Sequence, residues 1–432
     1  VFRARGKVAE INSAWLTDRE AFHPLEEPTL PALRQLVNSC RIDVPQGLPS
    51  ALACLVGYFA YETIGLVEEL PRPAPNPLDL PDMLFVRPTL VLVFDRLSDQ
   101  LFLVAPIWPD GSNAGRQVAQ AIDRIESAAA RLARPLPAQS RQPDLEALEP
   151  PKPVLAPGKY EEMVLTAKDY IAAGDIFQVV LAQRFTQPFP LPPFDLYRAL
   201  RRINPSPFLY HLDLPGFALT GSSPEILVRA RNGEVTIRPI AGTRPRGKTA
   251  VEDAENRASL LADPKERAEH LMLLDLGRND VGRVAAAGSV TVTDSYNVEF
   301  YSHVMHIVSN VVGQLAPGKD ALDALFAGFP AGTVSGAPKV RACEIIAELE
   351  PETRGAYAGG VGYFSPDGNM DSCIVLRTAV LKDGVMHVQA GAGIVTDSNP
   401  DYEQRECEAK AGALMAAAKE ALKVANEAGF GQ

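Results

Sequence analysis

The chain has 432 residues and a formal net charge of −11, with 46% hydrophobic and 22% charged residues. This balance is typical of a folded globular protein and excludes an intrinsically disordered chain. The sequence has no basic cluster of the kind that binds nucleic acid or an anionic membrane surface. No apolar run approaches the roughly 20 residues that a helix needs to cross a bilayer.

Five cysteines are scattered along the chain, and no two have the C-x-x-C spacing of a metal or redox motif. This pattern argues against a disulfide framework and a cysteine-based zinc site, and it predicts a reducing, cytoplasmic location. The chain begins at Val1 and its first methionine is Met83, so we expect the natural protein to start upstream.

The N-terminal part is predicted to contain a strand at 89–94 and an amphipathic helix at 118–132, from the period of the apolar residues. A proline-rich stretch at 131–160 predicts a linker between lobes. We therefore divide the chain into an N-terminal lobe, 1–150, and a catalytic lobe, 151–432.

The catalytic lobe is predicted to begin with a helix at 160–173 and a strand at 175–186. In that strand Gln178 and Arg184 lie on the face opposite the apolar side chains, which indicates that their face lines a cavity. Long strands grouped together, with helices before, between and after them, predict an α+β fold with large sheets. Further strands are predicted within 208–239, 289–314, 359–364, 374–381 and 385–395, and further helices from 263 and from 401.

Residues 242–249 match the phosphate-loop pattern G-x-x-x-x-G-K-[ST] letter for letter. Pro245 lies inside the would-be loop, where it removes one backbone N–H group from a phosphate cradle. We therefore favour a turn that brings backbone close to a different anion, and nucleotide binding stays as an alternative.

A helix start at Asp263 places Glu266 at the third helical position, where it completes a capping box. Capping does not explain Glu269, which lies one turn further along a largely apolar helix. A buried carboxylate needs a cation or a proton, so Glu269 is a candidate metal ligand.

The last helix repeats this spacing, because Glu403, Glu406 and Lys410 fall on one of its faces. The simplest explanation is a solvated ion pair between Glu406 and Lys410. Two E-x-x-E faces on separate helices could also supply oxygen ligands for Mg²⁺, which keeps waters or substrate oxygens beside one or two carboxylates.

His303 and His306 lie three apart in a predicted strand, so they point to opposite faces and cannot share a metal ion. A core histidine is one explanation for His306, and a general acid–base is the other if its face meets the cavity. Arg377 lies inside the apolar run 374–380, where a buried guanidinium needs an anionic partner.

Glycine-rich turns at 329–339 and 391–393 let backbone approach a ligand closely. Together with the buried arginine, the carboxylates and the histidine, they predict a small polyanionic substrate bound with Mg²⁺. Redox and nucleophile chemistry are not indicated.

The motifs resemble those of the chorismate-utilising enzymes, and most closely the chorismate-binding subunits of anthranilate synthases. The resemblance is dense from about 157 to 417. It implies two large antiparallel β-sheets packed as a sandwich with helices on the outside, with both lobes sharing that core. The segments that carry it are 174–185, 239–247, 262–270, 304–306, 330–339 and 391–395.

The resemblance also implies a role for each matching residue. Mg²⁺ would be bound by Glu269 and Glu406 and would hold the ring carboxylate of chorismate, with Glu266 and Glu403 holding waters. His306 would act as general acid–base near the departing 4-hydroxyl, with Thr333 close by. The residues that would contact the substrate are Gly242, Thr243, Tyr357, Arg377, Gly391, Ala392, Gly393 and Lys410.

Two positions separate the branches of this family. Isochorismate and salicylate synthases have a lysine where Gln178 stands, and aminodeoxychorismate synthases typically have one where Ala241 stands. Glutamine cannot take a proton from water, and alanine cannot supply an amine. The expected reaction is therefore addition of ammonia to chorismate and elimination of pyruvate, giving anthranilate. Aminodeoxychorismate synthesis is the alternative within the family, and a catalytically silent regulatory subunit is a further one.

Ammonia is expected to come from a separate glutamine amidotransferase subunit, as in the heteromeric members of the family. Cys54 lacks the preceding glycine that a glutaminase nucleophile needs. The segment 204–208 matches half of the family's tryptophan-inhibitor site, so we assign tryptophan binding to Pro207, Phe208 and Leu209. The other half of that site has no match in the chain.

Overall fold

The computed structural model describes residues 1–49, 52–71, 75–108, 113–135, 149–301 and 304–425. Helices and strands are mixed along the chain. The α-helices are α1 (Thr29–Ser39), α2 (Ala114–Leu132), α3 (Lys159–Ala172), α4 (Pro193–Ile203), α5 (Ala250–Ala262), α6 (Pro264–Gly282), α7 (Ala321–Gly328), α8 (Lys339–Leu349) and α9 (Pro400–Ala425), and short 3₁₀ helices span Tyr61–Leu66 and Gly332–Val334.

Most strands belong to two antiparallel sheets. The strands are β1 (Phe2–Arg5), β2 (Val8–Ile11), β3 (His23–Pro24), β4 (Leu55–Phe59), β5 (Met83–Val86), β6 (Val91–Asp95), β7 (Gln100–Val104), β8 (Lys152–Pro153), β9 (Gln178–Pro188), β10 (Phe208–Leu214), β11 (Phe217–Ser223), β12 (Ile226–Arg231), β13 (Glu234–Ile237), β14 (Ile240–Pro245), β15 (Thr291–Phe300), β16 (Val304–Gln314), β17 (Gly336–Ala337), β18 (Gly360–Phe364), β19 (Met370–Ile374), β20 (Thr378–Lys382) and β21 (Val385–Ile394).

Within the described residues, the larger sheet has twelve strands in the order β14-β16-β13-β12-β19-β18-β4-β5-β1-β2-β3, with β15 also pairing β16. The smaller sheet has seven strands in the order β10-β11-β20-β21-β9-β17, with β8 also pairing β9. Strands β6 and β7 form a separate hairpin. The predicted α+β class with large antiparallel sheets is confirmed.

The two sheets pack face to face over an apolar core. The ring of Tyr58 on β4 meets the ring of Phe217 on β11 edge to face, with centroids 5.7 Å apart. Tyr58 lies in the larger sheet and Phe217 in the smaller, so this contact crosses the sandwich. Because β4 pairs with β18, strands from both predicted lobes share the larger sheet. The lobe boundary at 150 remains a prediction.

Helices cover the outer faces of both sheets. Helices α3, α4 and α9 pack on the smaller sheet, whereas α6 and α7 pack on the larger one. Among the described residues, no helix combines the length and the apolar character that crossing a membrane requires. Part of the predicted linker, residues 136–148, lies outside the described residues.

The predicted strand at 374–381 is wrong, since this run is divided between the two sheets. Strand β19 ends at Ile374 in the larger sheet, and β20 begins at Thr378 in the smaller one. Arg377 lies in the crossover between them, with a φ of 47° in the left-handed region. The continuous apolar run concealed the crossover because both strands are buried.

Candidate active site

The predicted site residues meet where α6 and α9 approach the ends of strands from both sheets. The amide of Gln178 on β9 is 3.4 Å from Glu269 on α6. Thr243 on β14 is 3.1 Å from the Nδ1 atom of His306 on β16. Lys410 on α9 donates to the carbonyl oxygen of Gly391 on β21 at 2.8 Å. These contacts bring residues from distant parts of the chain into one region.

The first carboxylate of the predicted metal site is tied to an arginine. The Asp263 side chain accepts hydrogen bonds from the N–H groups of Lys265 and Glu266, which confirms it as the N-cap of α6. The Glu266 carboxylate accepts a hydrogen bond of 2.8 Å from Arg244, which also bonds Asp263 at 2.7 Å. The predicted capping box is therefore only half formed.

Glu269 has no cationic partner among the described residues. Burial raises the pKa of its carboxyl, and the negative charges of Glu266 and Glu406 raise it further. Among the described residues, Glu269 has one hydrogen-bond partner, the amide of Gln178. The Oε1 atom of Gln178 is itself buried and has no partner among them. Such a carboxylate favours a bound cation or proton.

The second pair of carboxylates lies on α9. Glu406 forms an ion pair of 2.7 Å with Lys410, as predicted from their spacing. Glu403 is 6% exposed, and burial, together with the charge of Glu406, raises the pKa of its carboxyl. The described residues contain no group of three or more acidic, histidine or cysteine side chains already arranged around one metal position. The donors are oxygen atoms only, which fits Mg²⁺ better than a softer metal.

His306 lies on β16 beside the glycine-rich end of β14. Its Nδ1 atom is 3.0 Å from the carbonyl oxygen of Gly242, so Nδ1 carries the proton, and Nε2 has no hydrogen-bond partner among the described residues. The ring packs edge to face on Tyr301 at 5.3 Å. Burial lowers the pKa of His306, which keeps it neutral at neutral pH. His303, the other histidine of the pair, lies outside the described residues.

Arg377 is a half-buried cation without an ion-pair partner among the described residues. Burial lowers the pKa of its guanidinium, which measures how unfavourable this charge is without an anion. Its backbone carbonyl accepts a hydrogen bond from the N–H group of Ser222 at the end of β11. The anionic partner predicted for Arg377 is not found among the described residues, so a bound ligand would have to supply it.

Two glycines on β21 allow close approach. A Cβ atom on Gly391 would lie 2.8 Å from the hydroxyl of Tyr357, and one on Gly393 would lie 2.5 Å from the Gln178 amide. Ala392, between them, is fully buried. Burial raises the pKa of Tyr357, so its hydroxyl remains a hydrogen-bond donor. The glycines therefore make room for polar groups on the facing elements.

Glu225, which lies just after β11, was not predicted as a site residue from the sequence. Its side chain is buried, and burial raises the pKa of the carboxyl to about 8. The hydroxyl of Thr333 donates to it at 3.2 Å. An acidic residue between two apolar strands, in Ser-Ser-Pro-Glu-Ile-Leu, was the signal that could have identified it.

The phosphate-loop alternative is wrong. The first four residues of the pattern belong to strand β14, which continues through Pro245. The N–H group of Gly247 already donates to Asp253 at 2.7 Å, and that of Lys248 donates to Glu252 at 2.6 Å. Acidic side chains thus occupy the backbone donors that a phosphate would need.

The remaining predicted residues lie on strands near this region. Ala241 is buried on β14, where it faces Ile307 of β16 in the strand register. Phe208 begins the edge strand β10 and packs on the apolar cluster between the sheets. The predicted tryptophan-binding segment, Pro207, Phe208 and Leu209, is thus beside the inter-sheet core rather than among the carboxylates.

The chain is similar to known proteins in sequence and in fold. The family described as chorismate binding enzyme matches residues 4–416. Anthranilate synthase component 1 of Cereibacter sphaeroides is 53% identical over 432 residues, which is all of this chain and 86% of that protein. The Thermus thermophilus protein of that name is 47% identical, covering 96% and 86%. The crystal structure of anthranilate synthase component I from Streptococcus pneumoniae has a TM-score of 0.83 at 38% identity, covering 96% and 89%.

Proposed function

Because this chain belongs to the family of chorismate-binding enzymes, we propose that it is the chorismate-converting subunit of an anthranilate synthase. It converts chorismate and ammonia to anthranilate and pyruvate, a step that serves tryptophan biosynthesis. The structural observation that carries this proposal is the half-buried Arg377, which lacks an anionic partner among the described residues, in the same site as the acidic residues of α6 and α9.

The site suits a substrate with two carboxylates. Chorismate has one on its ring and one on its enolpyruvyl side chain. Arg377 and the hydroxyl of Tyr357 would bind the enolpyruvyl carboxylate, which would supply the anion that the half-buried guanidinium lacks. The backbone beside Gly391 and Gly393, and the side chain of Thr243, would contact the remainder of the substrate.

The ring carboxylate would lie among the acidic side chains, and this requires a bridging cation. Mg²⁺, when bound, would supply that positive charge for the ring carboxylate. Glu269 and Glu406 would bind the ion directly, and Glu266 and Glu403 would hold its waters. The support is that burial raises the pKa of Glu269 and that the charges of Glu266 and Glu406 raise it further. Lys410, now paired with Glu406, would contact the substrate.

Departure of the 4-hydroxyl needs a proton, and Glu225 is the best source of it. With a pKa of about 8, its carboxyl is protonated at neutral pH. Thr333, which donates to Glu225, would position that carboxyl. His306 is neutral with Nε2 free, so it would accept a proton or a hydrogen bond rather than act as the acid.

The product is assigned from two side chains. Gln178 cannot deprotonate water, which disfavours isochorismate as product, and its buried Oε1 atom can accept a hydrogen bond from ammonia. Ala241 supplies no amine, which disfavours aminodeoxychorismate as the final product. Aminodeoxychorismate synthesis remains the second candidate within the family.

Ammonia would be delivered by a glutamine amidotransferase subunit, because the relatives named component 1 imply a second component. Tryptophan would act as feedback inhibitor through Pro207, Phe208 and Leu209. All five cysteines are buried free thiols, in keeping with the predicted cytoplasmic location.

The decisive experiment mixes the purified chain with chorismate, Mg²⁺ and ammonium and identifies the product by fluorescence and chromatography. We expect anthranilate, lost on addition of EDTA and not formed when glutamine replaces ammonium. Isochorismate or aminodeoxychorismate as product, or no turnover, would refute the assignment from Gln178 and Ala241.

A further inference from the structure

A cavity lies beside Glu225 and Thr333 and extends along α6 toward Asp280. Its walls are mostly apolar, with Leu273 and Gly277 on the helix side. Glu225, Thr333 and Asp280 are its polar side chains. Two carboxyl groups therefore share one largely apolar space within the protein.

Helix α6 connects this cavity to the proposed substrate site. Glu269, Leu273, Gly277 and Asp280 recur at helical spacing and lie along one side of α6. The N-terminal half of this side carries the metal-site carboxylate, and the C-terminal half lines the cavity. The Glu225–Thr333 pair lines the cavity, and Glu225 is the proposed proton donor to the substrate.

A buried ion pair lies at the far end of the cavity. Asp280 accepts hydrogen bonds of 2.9 and 2.8 Å from the ammonium group of Lys339, and their side chains are only 5% and 10% exposed. Burial raises the pKa of Asp280 in spite of this cation. Replacing such a pair by apolar side chains often costs no stability, so folding alone gives a weak reason for it.

We propose that this cavity is the route by which Glu225 regains its proton, with water held between Glu225 and the Asp280–Lys339 pair. This inference rests on the proposed function. In each turnover the O–H bond of Glu225 breaks as its proton goes to the 4-hydroxyl, the C4–O bond breaks, and water leaves. Ammonia forms the new C2–N bond and releases its extra proton to solvent. Glu225, now a carboxylate, takes one proton back from solvent through the cavity.

The burial of Glu225 and the polar groups of the cavity favour this route for its proton. Glu225 is 7% exposed, so little of its side chain meets bulk water directly. Water in a protein cavity needs two to four polar partners, and Glu225, Thr333 and Asp280 provide them at intervals. Asp280 and Lys339 thus act as positioning residues for the water, without touching the substrate.

The test is a substitution that narrows the cavity and leaves Glu225 and Asp280 unchanged. A Cβ atom on Gly277 would lie 3.2 Å from Pro239 and 3.6 Å from Ile237, so Gly277→Ala and Gly277→Val add increasing bulk there. With saturating ammonium, we expect kcat to fall by about ten-fold in the valine variant, a part of what general acid catalysis contributes. The KM for chorismate should stay unchanged, and the solvent deuterium isotope effect on kcat should increase because proton return becomes limiting.

Gly282→Val is the matched control, because a Cβ atom at that position on the same helix meets nothing within 4 Å. If Gly277→Val does not fold, the double variant Asp280→Asn, Lys339→Met should raise the isotope effect in its place. An unchanged kcat, or a lower kcat with an unchanged isotope effect, would overturn the proposal. Absence of anthranilate with the unsubstituted chain would instead refute the proposed function.

Discussion

The hydroxyl of Thr333 donates a hydrogen bond of 3.2 Å to the carboxyl of Glu225, and the carboxyl is buried where the two sheets meet the turn at 332–334. Burial, together with the charges of Glu299 and Glu225, raises the pKa of Tyr301 to about 12, and the ring of Tyr301 packs on His306. Glu225 therefore lies close to the two residues predicted to handle the departing hydroxyl. This relationship makes it the first residue to test.

Glu225→Gln should lower kcat by about 10²- to 10⁴-fold, since the amide keeps the shape and the hydrogen bond but cannot give a proton. Chorismate binding, measured by isothermal titration, should be nearly unchanged. Thr333→Val removes the hydroxyl that positions the carboxyl and should cause a smaller loss. Turnover of Glu225→Gln at the parent rate would rule out Glu225 as the proton donor.

The same carboxyl makes stability depend on pH. Its pKa is about 8 in the folded protein and 4.5 in the unfolded chain, so folding retains a proton between these values. The free energy of unfolding contributed by Glu225 should therefore decrease as the pH rises from about 5 to 8, by up to about 1.4 kcal/mol per pH unit. Urea unfolding of the parent and of Glu225→Gln at several pH values measures this term. The variant should show a flatter dependence, and identical slopes would contradict the assignment.

We expect Arg377 to lower the stability of the folded protein and to strengthen its binding of chorismate. Arg377→Met removes a half-buried cation that lacks an ion-pair partner among the described residues, so the melting temperature should rise or stay constant. The KM for chorismate should rise by about ten-fold or more, because one charge-assisted contact to a carboxylate is lost. Arg184→Met is the control: Arg184 forms an ion pair of 2.7 Å with Glu352, so its removal should lower stability. A lower melting temperature for Arg377→Met would show that Arg377 has a structural role.

Much of this site could be predicted because helix periodicity is local. The N-cap at Asp263 and the ion pair of Glu406 with Lys410 depend on neighbours three or four residues away, and both are found. The positions of Arg377 and Glu225 in the site depend instead on contacts between residues that are distant in the sequence. A crossover between sheets and the burial of a carboxyl that is only 7% exposed have no local pattern, because an apolar run looks the same whichever sheet it enters.

The phosphate-loop match is the opposite case, in which a sequence pattern suggests a site that the folded chain does not form. Its glycines and lysine are present, but the spacing says nothing about which groups already bond the backbone. Asp253 and Glu252 come from the following helix and use the donors that a nucleotide would need. A motif predicts a ligand only when its backbone is free, and that is a property of the folded chain.

The carboxylates on α6 and α9 are tested together through the metal. Glu269→Ala and Glu406→Ala should each abolish Mg²⁺-dependent turnover, because each removes a direct ligand of the proposed ion. Glu408→Ala is the control, since Glu408 is an exposed residue on the same helix as Glu406 and bonds only Gln404 among the described residues. Normal activity across a Mg²⁺ titration in either site variant would refute the metal assignment.

Ala241→Lys tests the position that separates the two amine-forming branches. Ala241 is 7% exposed on β14, next to Gly242, whose carbonyl oxygen bonds His306. A lysine there would bring an amine into the site, so anthranilate should no longer be formed cleanly at the parent rate. Chromatography of the products over time measures this. Ala241→Met supplies similar length without the amine, so an equal loss in both variants would indicate simple crowding. An unchanged product and rate in Ala241→Lys would show that this position does not select the reaction.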